Sequence, residues 1–87
     1  MKRSDDLVHA IVDVLYTGKA RSIPTSDGVT SRDIVRVVLR VGQYNQTQAD
    51  IIQMFADEGR SAYDATMAYC AALTYITISS REYKENV

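Results

Sequence analysis

The chain has 87 residues, 46% of them hydrophobic, with ten Lys and Arg against eleven Asp and Glu and a formal net charge of −1. That length suits one compact domain and that apolar content a globular protein, which argues against two independent cores and against intrinsic disorder. A near-neutral charge disfavours the electropositive field of a nucleic-acid binder, and one cysteine, Cys70, cannot form an internal disulfide.

Met1-Lys2-Arg3 is basic, but Asp5 and Asp6 follow at once without an apolar h-region, so a secretory signal is not expected. Ser4 can cap a first helix whose apolar positions Leu7, Val8, Ile11, Val14 and Leu15 form one stripe, ending near Gly18. His9, the only histidine, has Asp5 and Asp13 four residues to either side. That helix offers too few strong ligands for a metal site, and no metal or cofactor is expected. Residues 19–29, with Pro24, Ser26, Asp27 and Gly28, read as a loop that carries Lys19 and Arg21.

One piece of helix grammar is then written twice, seventeen residues apart. Thr30-Ser-Arg-Asp33-Ile34-Val35 runs on to Gly42, and Thr47-Gln-Ala-Asp50-Ile51-Ile52 runs on to Gly59. The Thr hydroxyl can cap free backbone N–H groups, the Asp suits the positive helix end, and Gly supplies a left-handed exit. Two short helices are predicted, near 31–41 and 48–58. Ile34 to Val41 is rich in β-branched residues and could be a buried strand, but the cap, the Gly42 stop and the arginine spacing favour helix.

A fourth helix is predicted from Ser61, with an acid three residues on at Asp64. Ala65, Ala68 and Ala72 share one face that lets another helix approach closely, either within the chain or as a homodimer seam. From Leu73 the sequence Leu-Thr-Tyr-Ile-Thr-Ile-Ser turns β-rich, so a short C-terminal strand is expected there. Arg81 to Val87 reads as a polar, fraying tail beginning at about residue 80. The longest uncharged run, Ala65 to Ser80, falls short of the ~20 apolar residues that span a bilayer. No membrane association is expected, and the expected setting is the cytoplasm.

Arg32, Arg36 and Arg40 recur every fourth residue and would form a cationic ridge about 12 Å long on a helix. Guanidinium groups so spaced suit phosphates or carboxylates on a partner. Shifting by seventeen puts Ala49, Gln53 and Asp57 at the matching positions, which is the pattern of a polar outer face. Six tyrosines against one Phe and no Trp suit interfaces, and Tyr63, Tyr69 and Tyr75 cannot all face inward from one helix. Cys70, among Ala and Leu, reads as an inert buried thiol. No Gly-rich phosphate loop, zinc spacing or nucleophile–His pair occurs, so catalysis is not expected.

The third and fourth predicted helices, joined through Gly59-Arg60-Ser61, loosely resemble a helix-turn-helix or winged-helix core, with Tyr75 to Ile78 as the start of a wing. The connection reads longer than the tight form, the would-be recognition helix has no Lys or Arg after Arg60, and Asp64 would face phosphates unfavourably.

The chain therefore reads as a single all-α domain over 1–87, a small four-helix fold with a short C-terminal β-strand as an added feature and a winged-helix-like fold as runner-up. The expected function is non-catalytic protein binding, as a small adaptor or inhibitor-type regulator, phage-like in size, docking on a larger partner. Arg32, Arg36, Arg40, Arg60, Tyr44 and Tyr63 are the candidate partner-binding residues. A homodimer through the Ala65/Ala68/Ala72 face and a DNA-binding transcriptional regulator are the alternatives.

Overall fold

The computed structural model of the protein describes residues 27–85, with side chains as far as Ile78, and the isolated position Asp13. The helix expected over 4–18, the loop expected up to residue 26 and the surroundings of His9 lie outside the described residues. Among the described residues there are three helices and no strand: α1, Ser31–Gly42; α2, Gln48–Asp57; and α3, Ala62–Glu85.

Both copies of the repeated grammar start a helix as their residues dictate. Thr30 and Thr47 are extended, and each accepts a hydrogen bond from the backbone N–H of the acid three residues on. Each acid in turn accepts from the threonine backbone N–H, Asp33 from Thr30 at 3.0 Å and Asp50 from Thr47 at 2.9 Å. These are two complete capping boxes, worth about 1 kcal/mol each through the cap residue. Ser61 does the same work for α3, where the Asp64 N–H donates to its hydroxyl at 3.1 Å.

The exits differ from the expected pair of left-handed glycines. Gly59 has φ +75° and closes α2. Gly42 is still helical, α1 ends through Gln43, and the left-handed residue is Asn45 with φ 57°. Asn tolerates this region because its short polar side chain can bond locally.

α1 and α2 both pack on α3. The core comprises Val29, Ile34, Val37 and Val38, Ile51 and Phe55, and Ala65, Ala68, Ala71, Ala72 and Tyr75. Phe55, Ile51, Val37 and Val38 are its largest fully buried side chains. The spacing on α1 explains why the β-branched run is a helix: Ile34, Val37 and Val38 fall on one face and are buried, while Arg40 stays exposed. The three alanines at 65, 68 and 72 are fully buried within the chain, so this face is an intramolecular seat for α1 and α2 and not a dimer seam.

The expected C-terminal strand is absent, because α3 continues through Leu73–Ser79 to Glu85. Ala71, Ala72 and Tyr75 extend the helical burial stripe begun by Ala65 and Ala68, and that stripe outweighs local β-propensity. Thr74 and Thr77 adapt to the helix by donating their hydroxyls to the Cys70 and Leu73 carbonyls, each at 2.9 Å. No wing forms at Tyr75–Ile78, and the backbone from Arg81 to Glu85 is helical where a fraying tail was expected. Cys70 is exposed and not buried, because it points away from the alanine stripe. Of the tyrosines considered together, Tyr63 is exposed, Tyr69 half-buried and Tyr75 buried.

Two stability changes follow. Phe55→Ala should destabilise the fold by about 3–5 kcal/mol in urea unfolding, the range for an aromatic removed from a packed core. Gly59→Ala should cost about 1 kcal/mol although nothing lies within 4 Å of the added methyl, since the left-handed backbone alone is responsible. A loss at Gly59 below the experimental error would remove that backbone argument.

Candidate functional site

The predicted arginines do not act as one ridge. Arg32 and Arg40 are exposed on α1 with no ion pair among the described residues, whereas Arg36 and Arg60 meet in a single charged cluster over Phe55.

Asp33 is the centre of that cluster. Its capping role fixes its side chain at the first turn of α1, and it is nearly buried, with a side-chain exposure of 8%. Arg60, in the turn after α2, grips it with both terminal nitrogens: Nη1 donates to Oδ1 at 2.7 Å and Nη2 to Oδ2 at 2.8 Å. The same Nη2 donates to the Gly28 carbonyl. Arg36 donates to Oδ1 at 3.2 Å from one turn along α1. With the Thr30 backbone N–H and hydroxyl added, the carboxylate is saturated with donors.

Glu58, in the α2–α3 turn, accepts from Arg36 Nη1 at 2.7 Å and, at 3.0 Å, from the same Nη2 that donates to Asp33. It also lies 3.8 Å from Arg60. Underneath, the Arg60 guanidinium lies 4.4 Å from the centre of the Phe55 ring and that of Arg36 5.7 Å. Two planar cations at one aromatic ring add attraction while their edges remain available to the acids.

The cluster sets the titration of its members. Hydrogen bonds from Arg60 hold the Asp33 carboxyl far below the usual carboxylate range, against the opposing effect of burial, with the Thr30 backbone N–H assisting. The Arg36 hydrogen bond lowers Glu58. The Arg36 and Arg60 guanidiniums are raised by Glu58 and Asp33 respectively. All four groups are charged at neutral pH, and none of them is poised to exchange a proton.

The connection between α2 and α3 is Glu58 to Ser61, four residues, one more than the Gly59-Arg60-Ser61 turn read from the sequence and still within the length of a helix-turn-helix turn. Gly59 and the Arg60 N–H bonded to the Phe55 carbonyl at 2.8 Å make that turn. Tyr44 is 65% exposed just past the end of α1, where its N–H donates to the Arg40 carbonyl. Tyr63 is 64% exposed at the start of α3. The six predicted residues thus divide: Arg36 and Arg60 are drawn together, Arg40 and Tyr44 are neighbours, Arg32 lies two turns away on α1, and Tyr63 lies on another element.

The sequence reading did not single out Asp33 and Glu58 as the partners of the arginines. The Asp33–Arg36 spacing of three residues was a usable signal on a helix. Nothing local announces Glu58 to Arg36, twenty-two residues apart, or Arg60 to Asp33, twenty-seven apart.

An open cleft of about 380 Å³ lies beside this cluster, lined by Arg40, Gln46, Asp50, Gln53, Met54, Asp57 and Glu58. Its acids already have duties, Asp50 in the α2 capping box, Asp57 accepting from Gln53 and Glu58 pairing with Arg36. No group of three or more His, Cys, Asp or Glu able to hold a metal ion occurs among the described residues. Nor is any helix among them long and apolar enough to cross a membrane. Comparison with protein-family models, curated proteins and solved structures found no match to this chain.

Arg60→Ala should destabilise the fold by about 2–3 kcal/mol, since it strips two charge-assisted bonds from a nearly buried carboxylate. The pH dependence has a definite sign. Asp33 titrates lower in the folded than in the unfolded chain, so its contribution is complete above the ordinary value of 3.8 and is lost as pH falls below it. Glu58 shifts the same way. Urea unfolding should therefore show stability declining below pH of about 4, with a shallower decline in Asp33→Asn. Equal slopes for the two proteins would mean that Asp33 is not the linked group.

Proposed function

We propose that this chain is a non-catalytic protein-binding module, a small helical adaptor or inhibitor-type regulator that docks on a larger partner through the outer side of α1. The observation that carries this reading is the division of the arginines. Arg36 and Arg60 are neutralised internally by Asp33 and Glu58, which leaves Arg32 and Arg40 exposed, the latter beside the exposed Tyr44. Arg and Tyr are the residue types that most often dominate binding energy, and two guanidiniums about 12 Å apart suit a row of carboxylates on a partner. Arg36 and Arg60 serve this surface indirectly by holding α1 at a fixed angle to the α2–α3 turn.

The test is capture from host lysate with the tagged chain, compared with Arg32→Ala/Arg40→Ala/Tyr44→Ala. The triple variant should fold as the wild type, because all three side chains are exposed, and should lose the captured protein. Undiminished capture by the triple variant would move the docking surface elsewhere.

A second reading, a DNA-binding regulator, is favoured by one specific feature, the four-residue α2–α3 connection with its left-handed Gly59. Against it stands the outer side of α3, which offers no Lys or Arg from Ala62 to Ile78 to meet phosphates or bases. Among the described residues, the free cations offered to duplex DNA are then Arg32 and Arg40. Fluorescence anisotropy should show weak affinity, similar for all sequences, and a salt slope that drops by about two when both arginines are replaced by alanine. Tight, sequence-selective binding would favour the regulator over the docking module.

A further inference from the structure

We propose that Glu58 is an internal competitor for the docking surface on α1. An acidic segment of the partner displaces it from Arg36 and so completes a row of Arg32, Arg36 and Arg40. This rests on the docking reading above, and it names the partner chemistry and the regulation of that same surface.

The three arginines recur every fourth residue, so α1 carries them along one side over about 12 Å. Arg32 and Arg40 are exposed and make no ion pair among the described residues. Arg36, between them, is occupied. Its Nη1 donates to Glu58 Oε2 at 2.7 Å and its Nη2 to Glu58 Oε1 at 3.0 Å. The chain's own Glu58 therefore shows how a carboxylate seats on the middle arginine, through two side-by-side bonds.

This pair opens at little cost. Both side chains are 35% exposed, and an ion pair so placed is weak because water and salt screen it. Exchange also strands no charge. Asp33 can give up the 3.2 Å bond from Arg36, because it keeps two bonds from Arg60 and those from Thr30. Glu58 returns to solvent with Arg60 still 3.8 Å away. Arg60 itself is not exchangeable in this way, since the carboxylate it holds is nearly buried.

The occupant follows from what Arg36 already holds. A single carboxylate gains nothing by replacing Glu58, since one pair is traded for another like it. A segment with carboxylates about 6 Å apart also meets Arg32 and Arg40, and those added contacts drive the exchange. Glu58 thus selects an extended row of acids over isolated ones. Asp50 and Asp57 line the cleft beside Arg40 from α2, repel carboxylates there and confine the segment to the α1 side.

The experiment is calorimetric titration with an octaglutamate peptide at low ionic strength. It compares the wild type with Glu58→Gln, Arg36→Ala and the double variant. Glu58→Gln should bind about threefold tighter or more, and that gain should vanish in the Arg36→Ala background. An equal gain with and without Arg36 would reduce the effect to the change in net charge and overturn the proposal, as would no gain at all. In the wild type, the Arg36 side-chain Nε–H resonance should shift with those of Arg32 and Arg40 as peptide is added. Shifts at Arg32 and Arg40 alone would also overturn it. A gain for duplex DNA with none for octaglutamate would overturn the assignment to a carboxylate partner. The docking reading fails on a different outcome, Arg32→Ala/Arg40→Ala binding the peptide as tightly as the wild type. Every variant keeps the Arg60–Asp33 contact, and far-UV circular dichroism checks that each remains folded.

Discussion

The bidentate contact between Arg60 and Asp33 is the constraint on which the described fold depends. Asp33 belongs to the first turn of α1 and Arg60 to the turn between α2 and α3, so this one pair ties the start of one helix to the junction of the other two. Asp33 is nearly buried and would be destabilising there without partners, because a desolvated carboxylate needs compensating donors. Arg60 supplies two of them, Arg36 a third and the helix cap the rest. The same guanidinium reaches back to Gly28 and lies on Phe55, so charge, cap and core meet at one residue.

That junction explains why two segments with the same capping pattern have different fates. Asp50 repeats the capping box of Asp33, yet it is exposed and pairs with no arginine among the described residues. The positions seventeen after Arg36 and Arg60 are Gln53 and Thr77. Without guanidinium groups at those places, the second acid only caps its helix. α3 serves both copies alike through its row of alanines, which lets α1 and α2 sit close on the same side of one long helix.

The same asymmetry shapes what the surface offers. Two of the four arginines discussed are held inside the chain, and the exposed remainder is a sparse pair beside a tyrosine, better matched to carboxylates on a protein than to a continuous phosphate backbone. On the opposite account, α3 turns toward solvent a side with no charge, whose threonines have already found their hydrogen-bond partners. Among the described residues, α1 thus turns outward a cationic side next to a tyrosine and α3 an uncharged one.

Local grammar determined where the helices begin. Thr30, Thr47 and Ser61, each with its acid three residues on, act within a single turn, and such short-range bonding is written in adjacent residues. The burial of the 65–68–72 stripe was equally legible, since helical spacing of small residues needs no knowledge of the neighbour. Tertiary packing decided what local chemistry left open. The β-rich stretch after Leu73 is helix because Ala71, Ala72 and Tyr75 continue a stripe that a strand would break. The exposed Cys70 and the assignment of Arg36 and Arg60 to Glu58 and Asp33 depend on segments twenty or more residues away, or on which side of α3 the core occupies. Capping is fixed by neighbours in the chain, whereas charge pairing and burial are fixed by neighbours in space, and only the folded chain brings those together.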